Sequence, residues 1–335
     1  MQYRTLGNTG LQVSRLGFGG IPIQKTDREQ TRRLMLALAE NGINYIDTAR
    51  GYTVSEEYLG YGLEGIRDQF ILATKSRART REGMEKDIRT SLSNLRTDRI
   101  ELYQIHNPNA ADLEQVVAPG GALEALLAAK AEGKILHIGI TLHSLELFQK
   151  ALELSWVETI MFPYNIVETQ AKALIAACHQ KGIGFIAMKP LAGGALEDAT
   201  LALRFLTADE NVDVIIPGMA EEKELYQNMQ AVCSQESISP EEQKKMEAIR
   251  LELGSHFCRR CNYCAPCTAG ISIPAVFLME GYYRRYDLKE WAAAQYQAME
   301  KKASDCIGCG VCETRCPYQL PIRQMMQAAA KVFGE

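Results

Sequence analysis

Between residues 15 and 232, short β-rich runs alternate with amphipathic helical stretches at intervals of roughly thirty residues. This spacing is typical of repeated βα units that feed a parallel sheet. Eight such runs can be counted, which is the number that closes a (β/α)8 TIM barrel. The predicted strands are Arg15–Gly19, Asn44–Ile46, Phe70–Thr74, Ile100–Ile105, Ile135–Ile140, Thr159–Phe162, Ile183–Ala187 and Val214–Ile216. The predicted fold class is therefore α/β, with a TIM barrel as the main domain.

The same alternation permits an open, doubly wound sheet, but the turn after the first strand argues against it. Gly17-Phe18-Gly19-Gly20 is a poor match to a glycine-rich phosphate-binding turn, and it leads to Pro22 rather than into a helix. Ahead of the barrel, Gln2–Leu6 and Leu11–Val13 flank the turn sequence Gly7–Gly10, which predicts a β-hairpin. We expect this hairpin to cover the lower mouth of the barrel.

Eight of the ten cysteines fall in two compact runs: Cys258, Cys261, Cys264 and Cys267, then Cys306, Cys309, Cys312 and Cys316. The second run, followed by Pro317, has the spacing of bacterial ferredoxins, in which three cysteines bind one 4Fe-4S cluster and the fourth binds the other. Two 4Fe-4S clusters are therefore predicted, with all eight thiols as ligands. A zinc ribbon or a disulfide framework stays open as an alternative. The identity of the crossing cysteines is also open, because Thr268 rather than proline follows the first run.

A second domain is predicted after the barrel. Pro240 opens the polar helical pattern Glu241–Leu253, which runs into Gly254 and the first cysteine run. The boundary is placed there, which gives a barrel over residues 1–254 and a small, mainly helical, ferredoxin-like domain over residues 255–335. The segment Ile271–Ser304 is helical in pattern and rich in aromatic residues, and ordinary core packing is the favoured explanation for them.

The composition argues against several classes of partner. With 335 residues and a net charge of -4, the chain has no basic stripe interleaved with aromatic residues, so nucleic acid is not expected as a partner. No run is apolar enough to cross a bilayer, and no basic stretch leads into an apolar one near Met1. We therefore expect a cytoplasmic protein with no membrane partner. Thiols that bind clusters also need a reducing compartment.

Polar residues follow three neighbouring predicted strands at the point where each strand ends. Asp47 follows the second strand, Lys75 the third and His106 the fourth. Barrel enzymes place their chemistry at the C-terminal ends of strands, so these side chains are expected at one mouth. Tyr52, in the loop after Asp47, can fold over the same mouth.

This set of residues suggests acid-base chemistry on a carbonyl group. A tyrosine phenol with its usual pKa of about 10 exchanges protons poorly at neutral pH, and an adjacent ammonium lowers that pKa. We expect Lys75 to do this for Tyr52. Asp47 would keep Lys75 charged, and His106 would orient the substrate oxygen through a hydrogen bond.

The same segments resemble the aldo-keto reductase superfamily over essentially the whole barrel. The segments similar to that family's catalytic tetrad are, in order, Ile46-Asp47-Thr48-Ala49 with Tyr52, Ala73-Thr74-Lys75, and Leu102-Tyr103-Gln104-Ile105-His106. The cysteine-rich tail resembles the branch with a fused C-terminal ferredoxin-like 4Fe-4S domain. The resemblance implies that Tyr52 is the proton donor, with Lys75 and Asp47 as its tuning pair. It also implies that His106 orients the carbonyl and that a nicotinamide nucleotide donates the hydride.

The resemblance further implies a set of positions that contact the nucleotide: Thr141, Asn165, Lys189, Gly218 and Asn228. Asn165 and Asn228 match the family's contacts plainly, and Lys189 is placed at the mouth by its position. Where the family usually offers a lysine and an arginine to the adenosine phosphate, this chain has Gly218 and then Glu224. NADPH and NADH therefore both stay open as the cofactor.

These features predict an oxidoreductase that reduces a carbonyl group, or oxidises an alcohol, of a small-molecule substrate. The alternative is an electron-transfer module, in which the clusters exchange single electrons between the barrel and a ferredoxin or flavoprotein partner. A redox sensor without turnover is disfavoured, because it would not require an activated phenol. The substrate itself is left open, because a fold does not name a substrate.

Overall fold

The structure is a computed structural model that describes residues 1–234 and 236–335. The chain forms two compact units. The first comprises Met1–Asn165, Thr169–Pro190 and Asp198–Ser237, and the second comprises Ile166–Glu168, Leu191–Glu197 and Ile238–Glu335. The domain boundary at residue 254 stays a prediction.

The first unit is built on a barrel of eight parallel strands, counted within the described residues. An antiparallel hairpin precedes it, formed by β1 (Tyr3–Thr5) and β2 (Gln12–Ser14). The barrel strands are β3 (Phe18–Gly19), β4 (Tyr45–Asp47), β5 (Ile71–Ser76), β6 (Ile100–His106), β7 (Ile135–Thr141), β8 (Thr159–Pro163), β9 (Gly184–Met188) and β10 (Val214–Ile216). The TIM-barrel prediction is confirmed.

Each barrel strand pairs in parallel with the next one along the chain, from β3 to β10. The ring closes through the Ile215 amide, which donates to the Arg15 carbonyl at 2.9 Å, and through the Gly17 amide, which donates to the Ile215 carbonyl at 2.8 Å. Gly19 also bridges Gly218 in parallel. The C-terminal ends of all these strands therefore face the same mouth.

Helices of the first unit connect the strands. They are α1 (Arg28–Glu40), α2 (Ser55–Gly62), α3 (Arg81–Asn94), α4 (Ala110–Val117), α5 (Ala122–Ala131), α6 (Leu145–Ala151), α7 (Lys172–Lys181), α8 (Ala199–Thr207) and α9 (Glu222–Cys233), with 3-10 turns at Gly7–Thr9, Ile21–Lys25 and Arg67–Gln69. Polar side chains cap the N-termini of several of these helices; for example, the Asp27 side chain accepts from the Gln30 amide at the start of α1, and the Thr80 side chain accepts from the Gly83 amide at the start of α3. The apolar faces of the helices pack into the main hydrophobic core.

The hairpin covers the N-terminal end of the barrel. Leu6 and Val13 are fully buried. They belong to the cluster that fills the barrel interior, whose other buried members are Tyr45, Ala73, Leu102, Met161, Ile186, Val214 and Ile216. Gly7 has a left-handed φ of +51°, and a Cβ there would lie 2.3 Å from the amide nitrogen of Gly184, the first residue of β9. The predicted position of the hairpin at the lower mouth is confirmed.

The second unit is mainly helical, in agreement with the prediction. Its helices are α10 (Pro240–Gly254), α11 (Ile273–Arg284), α12 (Lys289–Gln297), α13 (Val311–Arg315) and α14 (Ile322–Val332), with a 3-10 turn at Ala303–Asp305. A separate core joins α11, α12 and α14 around Val276, Tyr296 and Met326, each at most 1% exposed. No helix in the described part of the chain is both long enough and apolar enough to cross a membrane.

Candidate functional site

Three polar side chains meet at the C-terminal ends of neighbouring strands. Asp47 ends β4, Lys75 is the penultimate residue of β5, and His106 ends β6. The Lys75 Nζ donates to Asp47 Oδ2 at 2.5 Å and to the Thr48 carbonyl at 2.8 Å. Lys75 is 2% exposed and Asp47 is 3% exposed. The pairing of the strands therefore builds a buried ion pair at this end of the barrel.

Burial sets the electrostatics of this pair. Desolvation raises the pKa of Asp47, against the opposing effects of the Lys75 charge and of hydrogen bonds from Lys75 and Gln104. Desolvation lowers the pKa of Lys75, against the opposing effect of Asp47. Each partner therefore depends on the other to stay charged.

Tyr52 lies next to the ion pair on the loop between β4 and α2. Its amide donates to the Ala49 carbonyl at 3.0 Å, and the Ser55 amide donates to the Tyr52 carbonyl at 2.7 Å. The Lys75 Nζ lies 5.0 Å from the centroid of the Tyr52 ring. The His106 ring stands edge-on to it, with 6.2 Å between centroids and 89° between planes. The Lys75 ammonium therefore lies over the Tyr52 ring, within the range of a cation–π contact.

His106 is electrically neutral at physiological pH. Burial lowers its pKa well below the usual range, and four nearby cations lower it further: Lys75, Arg77, Arg79 and Lys189. Its Nδ1 is buried and has no hydrogen-bond partner within residues 1–234 and 236–335. A neutral imidazole offers one donor and one acceptor nitrogen. His106 can therefore hold a substrate oxygen without carrying a charge.

Gln104 supports the ion pair and was passed over in the sequence analysis. Its Nε2 donates to Asp47 Oδ1 at 3.3 Å, and the side chain is fully buried. A signal for it was present, because residues two apart in a strand share one face, which places Gln104 on the face of His106. A glutamine that is buried in a strand also needs a polar partner.

Glu56, on α2, is a second buried carboxylate; it belongs to the segment that resembles the family, but no role was predicted for it. Its Oε2 accepts from the Arg50 guanidinium at 2.5 Å, and its Oε1 accepts from the hydroxyls of Thr74 and Ser91, each at 2.8 Å. Arg50 and Glu56 lie on either side of Tyr52 in the chain, while Thr74 lies in β5 and Ser91 in α3. These bonds attach the two ends of the Tyr52 loop to the barrel.

The positions proposed for the nucleotide lie around the same end of the barrel strands. Thr141 ends β7, while Asn165, Lys189 and Gly218 follow β8, β9 and β10, and Asn228 lies buried on α9. The Asn165 Nδ2 donates to the Lys189 carbonyl at 3.0 Å, which joins the ends of two strands. Their contact with a nucleotide stays a prediction.

Glu224 presents a carboxylate in the segment after β10. Its Oε2 accepts from the amides of Ala220 at 2.6 Å and Glu221 at 3.1 Å, and so caps the start of α9. This segment was expected from the sequence to lack the cationic pair that would bind a 2'-phosphate. An acidic cap here is an unfavourable neighbour for that phosphate.

The eight clustered cysteines line two cavities of the second unit. The first is lined by Cys258, Cys261, Cys264 and Cys316, and the second by Cys267, Cys306, Cys309 and Cys312. Each cavity thus takes three thiols from one run and one from the other, which is the crossed pattern of two-cluster ferredoxins. The thiols surround a space rather than a point: in the described residues, no three His, Cys, Asp or Glu side chains are placed to hold a single metal ion.

The walls and thiols of these cavities fit an iron-sulfur cluster. Ile273 and Ile322 line both cavities, and all ten cysteines of the chain are free. Burial raises the pKa of the Cys264 thiol to about 12. Such a thiol loses its proton at neutral pH when a metal takes the proton's place. Four soft sulfur donors around a mostly apolar space are the ligand set that a 4Fe-4S cluster takes.

Known proteins match both units. The family model "Aldo/keto reductase family" matches residues 15–200, and "4Fe-4S dicluster domain" matches residues 257–321. L-galactose dehydrogenase from Arabidopsis thaliana is 29% identical over 306 residues, or 74% of this chain and 94% of the relative. A solved aldo-keto reductase from Bacillus halodurans, in its holo form, has a TM-score of 0.66 and 26% identity, covering 74% of this chain and 96% of its own. One from Klebsiella pneumoniae in complex with NADPH shares the fold, with a TM-score of 0.64 and 23% identity over 75% of this chain and 96% of its own.

Proposed function

The chain belongs to the aldo/keto reductase family of oxidoreductases and carries a 4Fe-4S dicluster domain, and from this premise we propose that it reduces the carbonyl group of a small molecule or oxidises the corresponding alcohol. A nicotinamide nucleotide would be the hydride carrier. The observation that carries the proposal is the buried ion pair of Lys75 and Asp47 beside Tyr52, whose ring centroid lies 5.0 Å from the Lys75 Nζ.

Each of the four residues would have a separate task. In the reduction, Tyr52 gives its hydroxyl proton to the carbonyl oxygen, and the Lys75 ammonium stabilises the phenolate that remains. Asp47 keeps that ammonium charged, and the neutral His106 holds the substrate oxygen by a hydrogen bond. When bound, a nicotinamide nucleotide supplies the hydride that the carbonyl carbon receives. In the oxidation, the alcohol proton returns to the Tyr52 phenolate.

Five residues would hold the nucleotide: Thr141, Asn165, Lys189, Gly218 and Asn228. The hydroxyl of Thr141 and the amides of Asn165 and Asn228 can donate to the phosphate and carboxamide oxygens of the ligand, and their oxygens can accept from the carboxamide N–H. Glu224, which caps α9, weakens the case for a 2'-phosphate. NADH and NADPH should therefore be titrated side by side, with fluorescence as the readout.

The test replaces the phenol alone. Tyr52→Phe is expected to lower kcat for NADH or NADPH oxidation with a panel of aldehydes and ketones by about 10²–10⁴-fold, while nucleotide affinity stays unchanged. The matched control is Tyr61→Phe on α2, whose hydroxyl donates to the exposed Glu29 at 2.5 Å. Full activity in Tyr52→Phe would rule out the assigned proton donor.

The two cysteine cavities favour a second candidate function, in which the chain transfers electrons. We propose one 4Fe-4S cluster for each set of four cysteines. When bound, a cluster carries one electron at a time, whereas a hydride carries two, so two clusters can take up the pair. A ferredoxin or flavoprotein would be the external partner. Free thiols of this kind suit a reducing compartment such as the cytoplasm.

This candidate is tested by mixing the anaerobic protein with NADH or NADPH, without any carbonyl substrate. Bleaching of the visible iron-sulfur absorbance would support electron transfer from the nucleotide to the clusters. Clusters that stay oxidised with nucleotide but are reduced by dithionite would exclude it, and would leave them a structural role.

A further inference from the structure

Among the residues that the structure describes, Arg259 is a buried cation without an acidic partner. It lies between Cys258 and Cys261 in the chain, is 9% exposed and lines the first cysteine cavity. Within residues 1–234 and 236–335, its guanidinium forms no salt bridge, and its Nε is buried without a hydrogen-bond partner. A buried charge is normally paired, because removing it from water is costly. The cavity beside Arg259 is therefore suited to an anionic occupant.

The position of this charge is fixed by its neighbours. One terminal nitrogen, NH1, donates to the carbonyls of Gly254 at 3.3 Å and Phe257 at 3.4 Å. The guanidinium carbon lies 3.9 Å from the centroid of the Tyr318 ring, and Tyr318 lines the same cavity. Carbonyl dipoles and a ring face hold the cation in place without neutralising it.

Two other arginines near the cysteines pair with carboxylates, and Arg315, next to Cys316, is exposed to water. Arg260 pairs with the buried Glu168 at 3.0 Å. Arg323, which lines the second cavity, is 51% exposed and pairs with Glu313 at 2.9 Å. The second cavity also has an exposed thiol, that of Cys309, whereas no thiol of the first set is exposed. Negative charge at the second cavity is therefore exposed to water at Cys309, whereas the first cavity is lined by the Arg259 guanidinium.

A 4Fe-4S cluster with four thiolates is anionic, and reduction adds one more negative charge. A fixed cation beside it stabilises the reduced form more than the oxidised form, and does so strongly where water is excluded. We propose that Arg259 is the electrostatic partner of the cluster bound by Cys258, Cys261, Cys264 and Cys316, and that its charge raises the reduction potential of that cluster. The proposal depends on the two-cluster assignment made above.

The experiment is an EPR-monitored potentiometric titration of the anaerobic full-length holoprotein, in which dithionite supplies one electron to each cluster. Iron content is measured in parallel, and two clusters require about eight iron atoms per chain. Arg259→Gln removes the charge, and Arg259→Lys keeps it. Arg323→Gln is the matched control at the second cavity.

In Arg259→Gln, one of the two midpoint potentials is expected to fall, so that the ratio of reduced to oxidised cluster at a fixed potential drops about tenfold, equivalent to 59 mV for one electron. Arg259→Lys should keep most of the wild-type potential, and Arg323→Gln should leave this cluster unchanged. Two unchanged midpoints in an iron-replete Arg259→Gln protein would overturn the proposal.

If Arg259→Gln loses iron, the iron content of Arg259→Lys distinguishes between two explanations. Full iron in Arg259→Lys would support a need for the positive charge, and loss of iron there too would show that the shape of arginine matters instead, which overturns the proposal. A wild-type protein without iron or cluster signals would refute the two-cluster assignment itself. Neither result would bear on the proposed carbonyl reduction, in which Tyr52 is the proton donor.

Discussion

Removal of the Lys75 ammonium should destabilise the barrel strongly, because it leaves Asp47 as an unpaired buried charge. At the observed 2.5 Å, two unit charges interact by about 7 kcal/mol at an effective dielectric constant of about 20. Removal of the ammonium also removes the free-energy cost of burying it, which offsets part of this lost interaction. We therefore expect Lys75→Met, which keeps a long apolar side chain, to lower the free energy of unfolding by about 3–5 kcal/mol at pH 7.

The loss should depend on pH in a defined direction. Burial raises the pKa of Asp47, and without Lys75 the pKa rises further. At a pH below the unfolded value of about 3.9, Asp47 is protonated in both states, and the variant should lose least. Between that value and the raised folded-state pKa, the unfolded carboxyl ionises more readily than the folded one. The difference from wild type therefore grows over this interval by at most about 1.4 kcal/mol per pH unit, and it levels off above the folded-state pKa.

Unfolding is best followed with guanidinium chloride and the fluorescence of Trp156, in a Trp291→Phe background, so that only the first unit is reported. Asp47→Asn combined with Lys75→Met should recover at least half of the loss, since no unpaired charge is left. Lys181→Met removes an exposed pair with Glu153 and should cost at most about 1 kcal/mol. The reasoning fails if Lys75→Met costs no more than this control, or if the double variant recovers nothing.

Glu56→Gln should lower the stability of the first unit by about 2–3 kcal/mol in the same assay, because Arg50 loses its buried carboxylate; Glu64→Gln, in an exposed pair with Arg96, is the control and should be neutral. The rate of carbonyl reduction should show no ionisation of His106 near its ordinary pKa of about 6.5, because its pKa lies well below that value. An inflection of kcat/KM in that region that disappears in His106→Gln would contradict this. Cys267→Ser and Cys309→Ser should alter the same EPR signal and spare the other, since both thiols line the second cavity. If Cys267→Ser instead alters the signal that Cys261→Ser alters, the crossed ligand sets are wrong.

The barrel could be predicted because buried parallel strands are short apolar runs with polar or turn residues at their ends. The first strand was predicted over Arg15–Gly19. Its regular part is Phe18–Gly19, while Arg15 and Gly17 form backbone hydrogen bonds with Ile215 where the barrel closes. The burial of the Arg15 side chain was not predictable, because its guanidinium donates to the carbonyls of Thr207 and Asp209, both at 2.9 Å. Partners so far away in the chain leave no local signal.

The candidate site also contains some residues that could be predicted from the sequence and some that could not. Asp47, Lys75 and His106 were predictable because strand ends converge in a parallel barrel. Glu56 and Arg259 were not predictable, because their roles depend on burial and on contacts with residues distant in the chain, such as Ser91 and Tyr318. The assignment of each cysteine to one of two cavities likewise needs three-dimensional structure, since spacing alone allows more than one crossing.

The closed lower end of the barrel has a kinetic consequence. With the barrel interior filled by the cluster that includes Leu6 and Val13, no ligand can pass through the barrel, and reactants and products must bind and leave at the end where Asp47, Lys75 and His106 lie. If a hydride passes between nucleotide and substrate, both must occupy that end together. Intersecting double-reciprocal plots are therefore the expected steady-state pattern.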